Sequence, residues 1–506
     1  MKKIISVLLL LPSILVAQNM YNVFPVVENT ISGTARYIGM GGSMGALGGD
    51  ISVIGSNPAG IALFRSNDVN FTASVNSMGV ETDYEGEKAT GDNSYGAIDN
   101  VGFVLVNKFD VGMLKFLNVG VSYKRDNDFT RSFNMTGMSD GFSQQYIIDG
   151  LYKNSPFDIA KLDYGMYESF GYNWLSLLMA EGYYYDYTPG DDFITDRDGN
   201  LLWQPTDMAY YSDERGGADE IDFNISANIN DWLYVGITLG VTNVDYGRYS
   251  CYLENDDLGK IYSVSNDYRL DGHGLNLKVG AIIRPFRYSP FKVGISIHTP
   301  TWYSLTESYS ASMTGIDGYI YDTRDEERYF DDVYLKYKLN TPWRFGISAS
   351  YTFGNYLAID TEYEYADYSS VEYTRNTNGS KAQNHEIERN LKAQHTFRMG
   401  AEYKIGDFSI RAGYNHMTAP FEKSAFKNLG NANVTDTSTE YLNKFEKNVF
   451  TLGGGYRYRD FYFDVAYMLQ MQKADFYPFY DVDYVNPAAD VKFKDHSVMA
   501  TVGMRF

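Results

Sequence analysis

Apolar and polar residues alternate with a period of two over long stretches of the chain. Leu233, Val235, Ile237, Leu239 and Val241 share one side of a segment whose other side carries Tyr234, Gly236, Thr238, Gly240 and Thr242. Phe408, Ile410, Ala412 and Tyr414 oppose Ser409, Arg411, Gly413 and Asn415. Phe461, Phe463, Val465, Tyr467, Leu469 and Met471 oppose Tyr462, Asp464, Ala466, Met468 and Gln470. A period of two marks a strand with unlike faces. Each run covers about ten residues, longer than the usual five or six and close to the roughly 9–11 of a tilted membrane strand.

The pattern predicts about fourteen strands. They fall near 69–79, 98–107, 117–126, 220–230, 232–245, 273–285, 292–305, 332–353, 356–368, 394–405, 408–418, 446–459, 461–472 and 493–506. Asn230-Asp231, Gly354-Asn355, Gly406-Asp407 and Arg459-Asp460 join neighbouring strands tightly, whereas the opposite connections, such as 370–388 and 420–444, are long and polar. Short turns at one end and long loops at the other belong to outer-membrane barrels. The expected fold is all-β, a transmembrane antiparallel β-barrel of about fourteen strands over 67–506. Val498, Ala500, Val502 and Met504 alternate up to a terminal Phe506. That ending resembles the C-terminal signal that the barrel assembly machinery reads.

The rhythm breaks at about 127–219. Met166, Phe170, Trp174, Leu177 and Leu178 fall there at helical spacing, and Tyr146, Ile147, Leu151 and Tyr152 suggest another short helix. So long a connection has structure of its own or a function. Two readings stand: an extracellular cap packed on itself, or an apolar landing surface for a ligand at the mouth.

Composition narrows the class. Lys2 and Lys3 precede an apolar run over 4–16 and a small-residue site at Ala17, so 1–17 is expected to be a cleaved signal peptide. The run is short for a spanning helix, which takes about 20 residues. The 46 Tyr, 30 Phe and 47 Gly against 13 Pro favour strands. A net charge of −21 argues against nucleic-acid binding. The negative mean hydropathy of −0.34 does not oppose a membrane, because a barrel strand shows lipid only every second residue. Cys251 stands alone, so no intrachain disulfide is possible. No two histidines stand at metal-ligand spacing and no catalytic constellation appears, so neither an enzyme nor a cofactor is expected.

Between the signal and the first strand, 18–66 has no steady period, and nine glycines lie from Gly33 to Gly60. Glycine permits tight turns and close backbone approach. Irregular backbone at membrane depth must be surrounded by protein or water. The segment is therefore expected to plug the lumen as an N-terminal hatch. Its residues 32–64 resemble the hatch of the FadL/TodX family of outer-membrane channels for long-chain fatty acids and other hydrophobic compounds. The resemblance rests on the pair Arg36-Tyr37, the acid Asp50 in a Gly/Ala-rich middle, and Asn57-Pro58-Ala59 followed by Gly60. It implies passive uptake: capture of an apolar ligand at the extracellular mouth, movement of the hatch, and sideways exit into the outer membrane. The implied partners are the hydrophobic ligand and membrane lipid. The rival reading is a porin or a haem-related receptor.

The strand assignment also puts charges in the lumen. Lys336, Lys338 and Arg344 share one strand, Asp360, Glu362 and Glu364 the next, then come Arg398, Glu402 and Lys404, Arg411 and Arg457. Opposite signs on adjacent strands predict cross-strand ion pairs. These either stiffen the wall and anchor the hatch or present a cationic end to an acidic ligand.

Overall fold

The computed structural model describes residues 20–139, 142–154, 156, 172–182, 205–315, 318–324, 333–375, 379–427, 435–479 and 487–506. One antiparallel sheet of nineteen strand segments closes on itself, and the chain crosses it fourteen times. The passes are β1 (Asp68–Tyr84), β2 (Glu87–Val111), β3 (Leu114–Asp128, continued as Arg131–Met138), β4 (Pro205–Ile229), β5 (Leu233–Asp256), β6 (Ile261–Ile283) and β7 (Lys292–His298 and Trp302–Thr314). There follow β8 (Val333–Asn340 and Arg344–Phe353), β9 (Leu357–Asp367 and Glu372–Thr374), β10 (Ala393–Ile405), β11 (Phe408–Met417), β12 (Tyr441–Tyr458), β13 (Phe461–Tyr477) and β14 (Ala489–Arg505). A short segment, Ile320–Asp322, folds back on the end of β7. β1 pairs with β14 from Asp68↔Arg505 to Asp83↔Asp490, which closes the ring. Asn67 and Phe506 complete the seam, each amide donating to the other's carbonyl.

The faces are those of a barrel in lipid. On β5, Ile237 and Leu239 are 45% and 46% exposed, while Thr238 between them is fully buried. Phe71, Phe223, Val279, Ile410, Phe463 and Val502 also point outward. Asn118, Glu220, Asp222, Lys278 and Thr501 are buried inside. A water-soluble domain arranges these the other way round; apolar outside and polar inside suits hydrocarbon around a filled lumen.

Several strands run longer than the alternation predicts. β4, β5 and β6 have 25, 24 and 23 residues, about 80 Å of strand, against a hydrocarbon core of about 30 Å. Their far ends stand clear of the membrane, where the outer face no longer has to be apolar. This corrects the expected insertion at 127–219. Arg131–Met138 pairs with β4 from Arg131↔Glu214 to Met138↔Asp207, so both flanks of that stretch are strand. Between them lie the helices α3 (Gln144–Asn154) and α4 (Trp174–Glu181).

β7 and β8 are each broken at a proline, Pro300 and Pro342, and the two breaks face each other: Thr341 N–H donates to Thr301 O at 3.2 Å. Proline cannot donate to a ladder, and each break resets the alternation. Before it, Leu335, Tyr337 and Leu339 face in; after it, Ser348 and Ser350 do. Lys336 and Lys338 therefore face outward, not into the lumen as an unbroken 332–353 strand requires.

The four tight turns sit at the end where the chain terminates, with Asn230, Asp231, Arg459, Gly354 and Gly406 at positive φ. The opposite end holds the long connections, but also two tight ones, at 85–86 and 257–260.

The outward band sets a stability test. Ile237→Lys places a cation against lipid and is expected to lower the unfolding free energy by about 2–4 kcal/mol, measured by urea unfolding in vesicles. Lys336→Ala, far along an outward loop-end face, should leave it within about 0.5 kcal/mol.

Candidate functional site

Residues 20–64 run through the lumen. They form α1 (Met20–Val27), α2 (Ala35–Gly39) and two 3-10 turns, Ile51–Gly55 and Pro58–Leu63. Asn57 caps the second turn: its side chain accepts from Ala59 N–H at 3.2 Å and donates to Gly45 O at 2.7 Å. Pro58 sits at the first helical position, where its missing N–H costs nothing. Its carbonyl accepts from Ser226 Oγ at 2.8 Å. Wall positions Gly236, Gly280 and Gly294 lie so close to Asn57, Pro58 and Gly45 that a Cβ on any of them would collide. Ala59 is fully buried against Tyr234 and Ile282, and Gly60 packs on Val53 and Gly48. A second seat mirrors the first: Met40 and Gly41 press on Gly400 and Gly413.

Charge fixes the segment between these seats. Arg36 donates to both oxygens of Glu402, at 2.9 and 3.0 Å, and to Gly49 O at 2.9 Å. Burial alone would ease its proton off; the Glu402 carboxylate outweighs burial and holds the guanidinium firmly protonated. Asp50 caps the first turn through Ser52 N–H and accepts from Thr34 Oγ1 at 2.8 Å. Tyr37 is buried beside Gly42, and burial pushes its hydroxyl up to about 12. Asp360 accepts from Ser43 Oγ, Ala46 N–H and Leu47 N–H, and Glu362 from Gly45 N–H. Inward carboxylates thus satisfy amides that no helix or strand pairs.

The four lumen arginines divide. Arg398 pairs with Glu362 at 2.5 Å, its register partner across β9 and β10, and Arg411 with Glu402 at 2.6 Å and Asp464 at 2.5 Å. Arg344 lies with Glu364 and Arg398 around a small polar cavity. Arg457 is exposed at the turn end, in a charged recess of about 290 Å³ that also contains Arg36, Asp68 and Arg505.

On the loop side of the seats are two cavities. One, of about 140 Å³, is bounded by residues 30–33, by Tyr95, Ala97 and Asp99 of β2, and by residues 125–129 of β3. The other, of about 100 Å³, is lined by aromatic rings, among them Tyr21, Phe24, Phe133, Tyr210 and Phe476, with Arg131, Arg248 and Lys444 beside them. Phe476 packs on Phe133 and Tyr210, with centroids 4.6 and 4.9 Å apart. Arg131 lies over the Phe493 ring and pairs with Asp495; Arg248 lies over Tyr268 and pairs with Glu440. Pro25, Arg131, Glu214 and Lys444 border both cavities, so the arm that carries α1 stands between them together with these wall side chains. Glu28 holds this arm, accepting from Lys444 and Lys447 at 2.6 Å each. Burial would push its carboxyl up; the two lysines overcome that and keep it well below the ordinary carboxylate range.

The sheet opens next to the first cavity. Pairing of β2 with β3 runs from Val111↔Leu114 to Asn100↔Lys124 and stops. Beyond it β3 leans inward across β2: Ser132 O crowds Gly91, Thr82 Oγ1 donates to Asn134 O at 2.7 Å, and Asn134 Nδ2 donates to Thr90 O at 2.9 Å.

The apolar helix of the insertion is placed otherwise than a landing surface requires. Asn173 caps α4 through Leu175 and Ser176 N–H, so the helix starts at Trp174. Trp174, Leu177 and Leu178 are buried in a cluster with Tyr84, Tyr252, Tyr262 and Phe476 at the mouth. Met166 and Phe170 lie outside the described residues. The reading along the chain missed Glu28, Arg131, Arg248, Lys444 and the aromatic ring set. The signal was faint: Lys444 and Lys447 are three apart, yet both face in because a register shift lies between them.

No family model matches the chain, and no curated protein matches it. Solved structures do. A Pseudomonas aeruginosa FadL homologue aligns at a TM-score of 0.52 and 12% identity, covering 94% of this chain and 99% of that one. The Pseudomonas putida toluene transporter TodX aligns at 0.50 and 11%, covering 95% and 100%, and the Ralstonia pickettii toluene transporter TbuX at 0.50 and 12%, covering 94% and 98%. The fold is that of the FadL/TodX channels. At such identities the likeness carries the architecture, and residue roles come from this chain's own contacts.

Two measurements check the seats and the arm. Gly280→Leu forces Asn57 and Pro58 away from the wall and should raise single-channel conductance for small ions, whereas Gly454→Ala, with open space around it, should not. Glu28 has a depressed folded pKa, so its stabilisation is present above the unfolded value of about 4.3 and is lost as pH falls through the folded one. Glu28→Gln should therefore lower Tm at pH 7, with the difference from wild type shrinking once the pH drops below about 4.

Proposed function

We propose that this protein is a passive outer-membrane channel for hydrophobic small molecules, not an enzyme. The ligand enters at the loop end and rests in the aromatic cavity. Residues 18–66 act as a hatch whose arm swings aside, and the ligand leaves sideways where β3 parts from β2. Residues 1–17 serve as a cleaved signal peptide, and the strand ending in Phe506 addresses the chain to the assembly machinery.

The observation that carries this reading is the aromatic cavity, separated by the Glu28-held arm and the side chains of Arg131, Glu214 and Lys444 from a second cavity beside a break in the ladder. The straight route is unfavourable by contrast. It runs through the seats and past Arg36, Glu402, Arg411 and Asp464, and an apolar solute gains nothing among ion pairs. Sideways exit takes it from apolar cavity to hydrocarbon. The cations beside the rings favour a long-chain fatty acid over a plain hydrocarbon, since a carboxylate can share Arg131, Arg248 or Lys444 with their present acids.

Equilibrium binding of radiolabelled fatty acids and monoaromatic hydrocarbons to purified, folded protein tests this. Phe476→Ala removes a large apolar contact worth about 1.5–3 kcal/mol, a loss of roughly tenfold or more in affinity. Arg248→Met should weaken the acids and spare the hydrocarbons. If no hydrophobic compound binds and small sugars cross vesicles freely, a diffusion pore replaces this reading.

A further inference from the structure

The lipid-facing wall is not uniform. Across β4 to β7 one outward row reads Ala227↔Val235↔Ala281↔Ile295. The rows on either side read Ile225↔Ile237↔Val279↔Ile297 and Ile229↔Leu233↔Ile283↔Val293. Two alanines between branched aliphatics leave a concavity of about 500 Å³ with an almost wholly apolar lining. The wall is thin behind it. The neighbouring inward row is Ser226↔Gly236↔Gly280↔Ser296, whose glycines Asn57 and Pro58 occupy from within.

Below the concavity is the longest described connection at the turn end, residues 284–291 between β6 and β7. Its sequence is Arg-Pro-Phe-Arg-Tyr-Ser-Pro-Phe, with two cations and no acid in a chain of net charge −21. Phe286 and Tyr288 are 61% and 93% exposed, and Trp232 of the adjacent turn is exposed beside them, its carbonyl accepting from Arg284 N–H at 2.7 Å. Arg284 Nε donates to Ser289 O at 2.7 Å, which shapes the turn and leaves Arg287 exposed. Aromatic rings with arginines at the edge of an apolar band occupy the headgroup level of a bilayer. Ala281 and Arg284 are three residues apart, about 10 Å of strand, so one amphiphile can reach both.

We infer that this face is a binding site for one phospholipid of the turn-end leaflet. An acyl chain lies in the Ala227–Ala281 concavity and the phosphate lies at the turn that begins with Arg284, where Arg287 is the exposed cation. Shape selects the chain, and an anionic headgroup is favoured by the local positive charge. The site is independent of any transported ligand, and it stands directly outside the place where the hatch motif is seated.

The test is native mass spectrometry on full-length protein extracted in mild detergent from vesicles of equal parts phosphatidylglycerol and phosphatidylethanolamine. Wild type should retain one phospholipid per barrel, with phosphatidylglycerol at least fivefold enriched. Ala227→Leu with Ala281→Leu fills the concavity and should lose that lipid. Ala500→Leu, an outward change on β14 away from the concavity, should keep it. Arg287→Ser should keep a lipid but lose the enrichment. Heat-modifiable gel mobility confirms that each variant has closed its barrel. Wild type without retained lipid, the filled variant retaining it as wild type does, or a mass of two barrels sealed over this face would each overturn the inference.

Discussion

A sheet in hydrocarbon has no water to satisfy an open edge, and every other feature here follows from that. The edge strands β1 and β14 must pair with each other, and sixteen register positions close them. Closure creates a lumen, and the lumen then has to be filled by something whose own backbone is satisfied. The segment 20–64 is too irregular to satisfy itself. The inward side chains do it: Asp360, Glu362, Ser226 and Asn118 all hydrogen-bond its main chain. The polar interior is therefore a matched partner for a loop with few internal hydrogen bonds, and it exists because the exterior is greasy.

How legible each feature was in the sequence depended on whether one local rule governed it. The band that touches lipid alternates strictly, because a polar residue there is penalised on every strand. The class and the number of passes were accordingly readable from runs such as those around Ile237 and Phe463. Strand ends were not. Past the membrane, β4 still alternates in burial, with Met208, Tyr210 and Ser212 inward and Asp207, Tyr211 and Asp213 outward, but its outer face is no longer apolar and the lipid-facing pattern is lost. The errors at Lys336 and Lys338 have a sharper cause. The alternation was carried through Pro342, where the break shifts the phase by one and turns both lysines outward. The glycines of the N-terminal segment announced close packing. Their partners Gly236, Gly280, Gly400 and Gly413 looked like ordinary strand residues, because the sequence shows neither which strands neighbour a loop nor how near.

The cavities were beyond sequence reasoning for a related reason. The aromatic set joins Tyr21 near the N-terminus to Phe133, Tyr210 and Phe476, which lie far apart along the chain. Only ring closure brings them together. Trp174, Leu177 and Leu178 did have the right period for a helix, but period does not say which side stays open, and here every residue from Trp174 to Ala180 is buried in the mouth.

The break between β2 and β3 then takes its meaning from what compensates it. Ladder pairing lost there is replaced locally. Asn134 Nδ2 donates to Thr90 O of β2, and Thr82 Oγ1 of β1 donates to Asn134 O. These are side-chain bonds of ordinary strength, individually worth about 0.5–1.5 kcal/mol, in place of a continuous cooperative ladder. The seam at β1 and β14, where the two ends of the sheet meet, keeps its register from Asp68 to Asp83. A wall that is complete at its long-range seam and interrupted between two consecutive strands is not failing to close. It leaves a gap where the chain could most easily have formed a plain hairpin, and that gap faces the cavity behind the Glu28 arm.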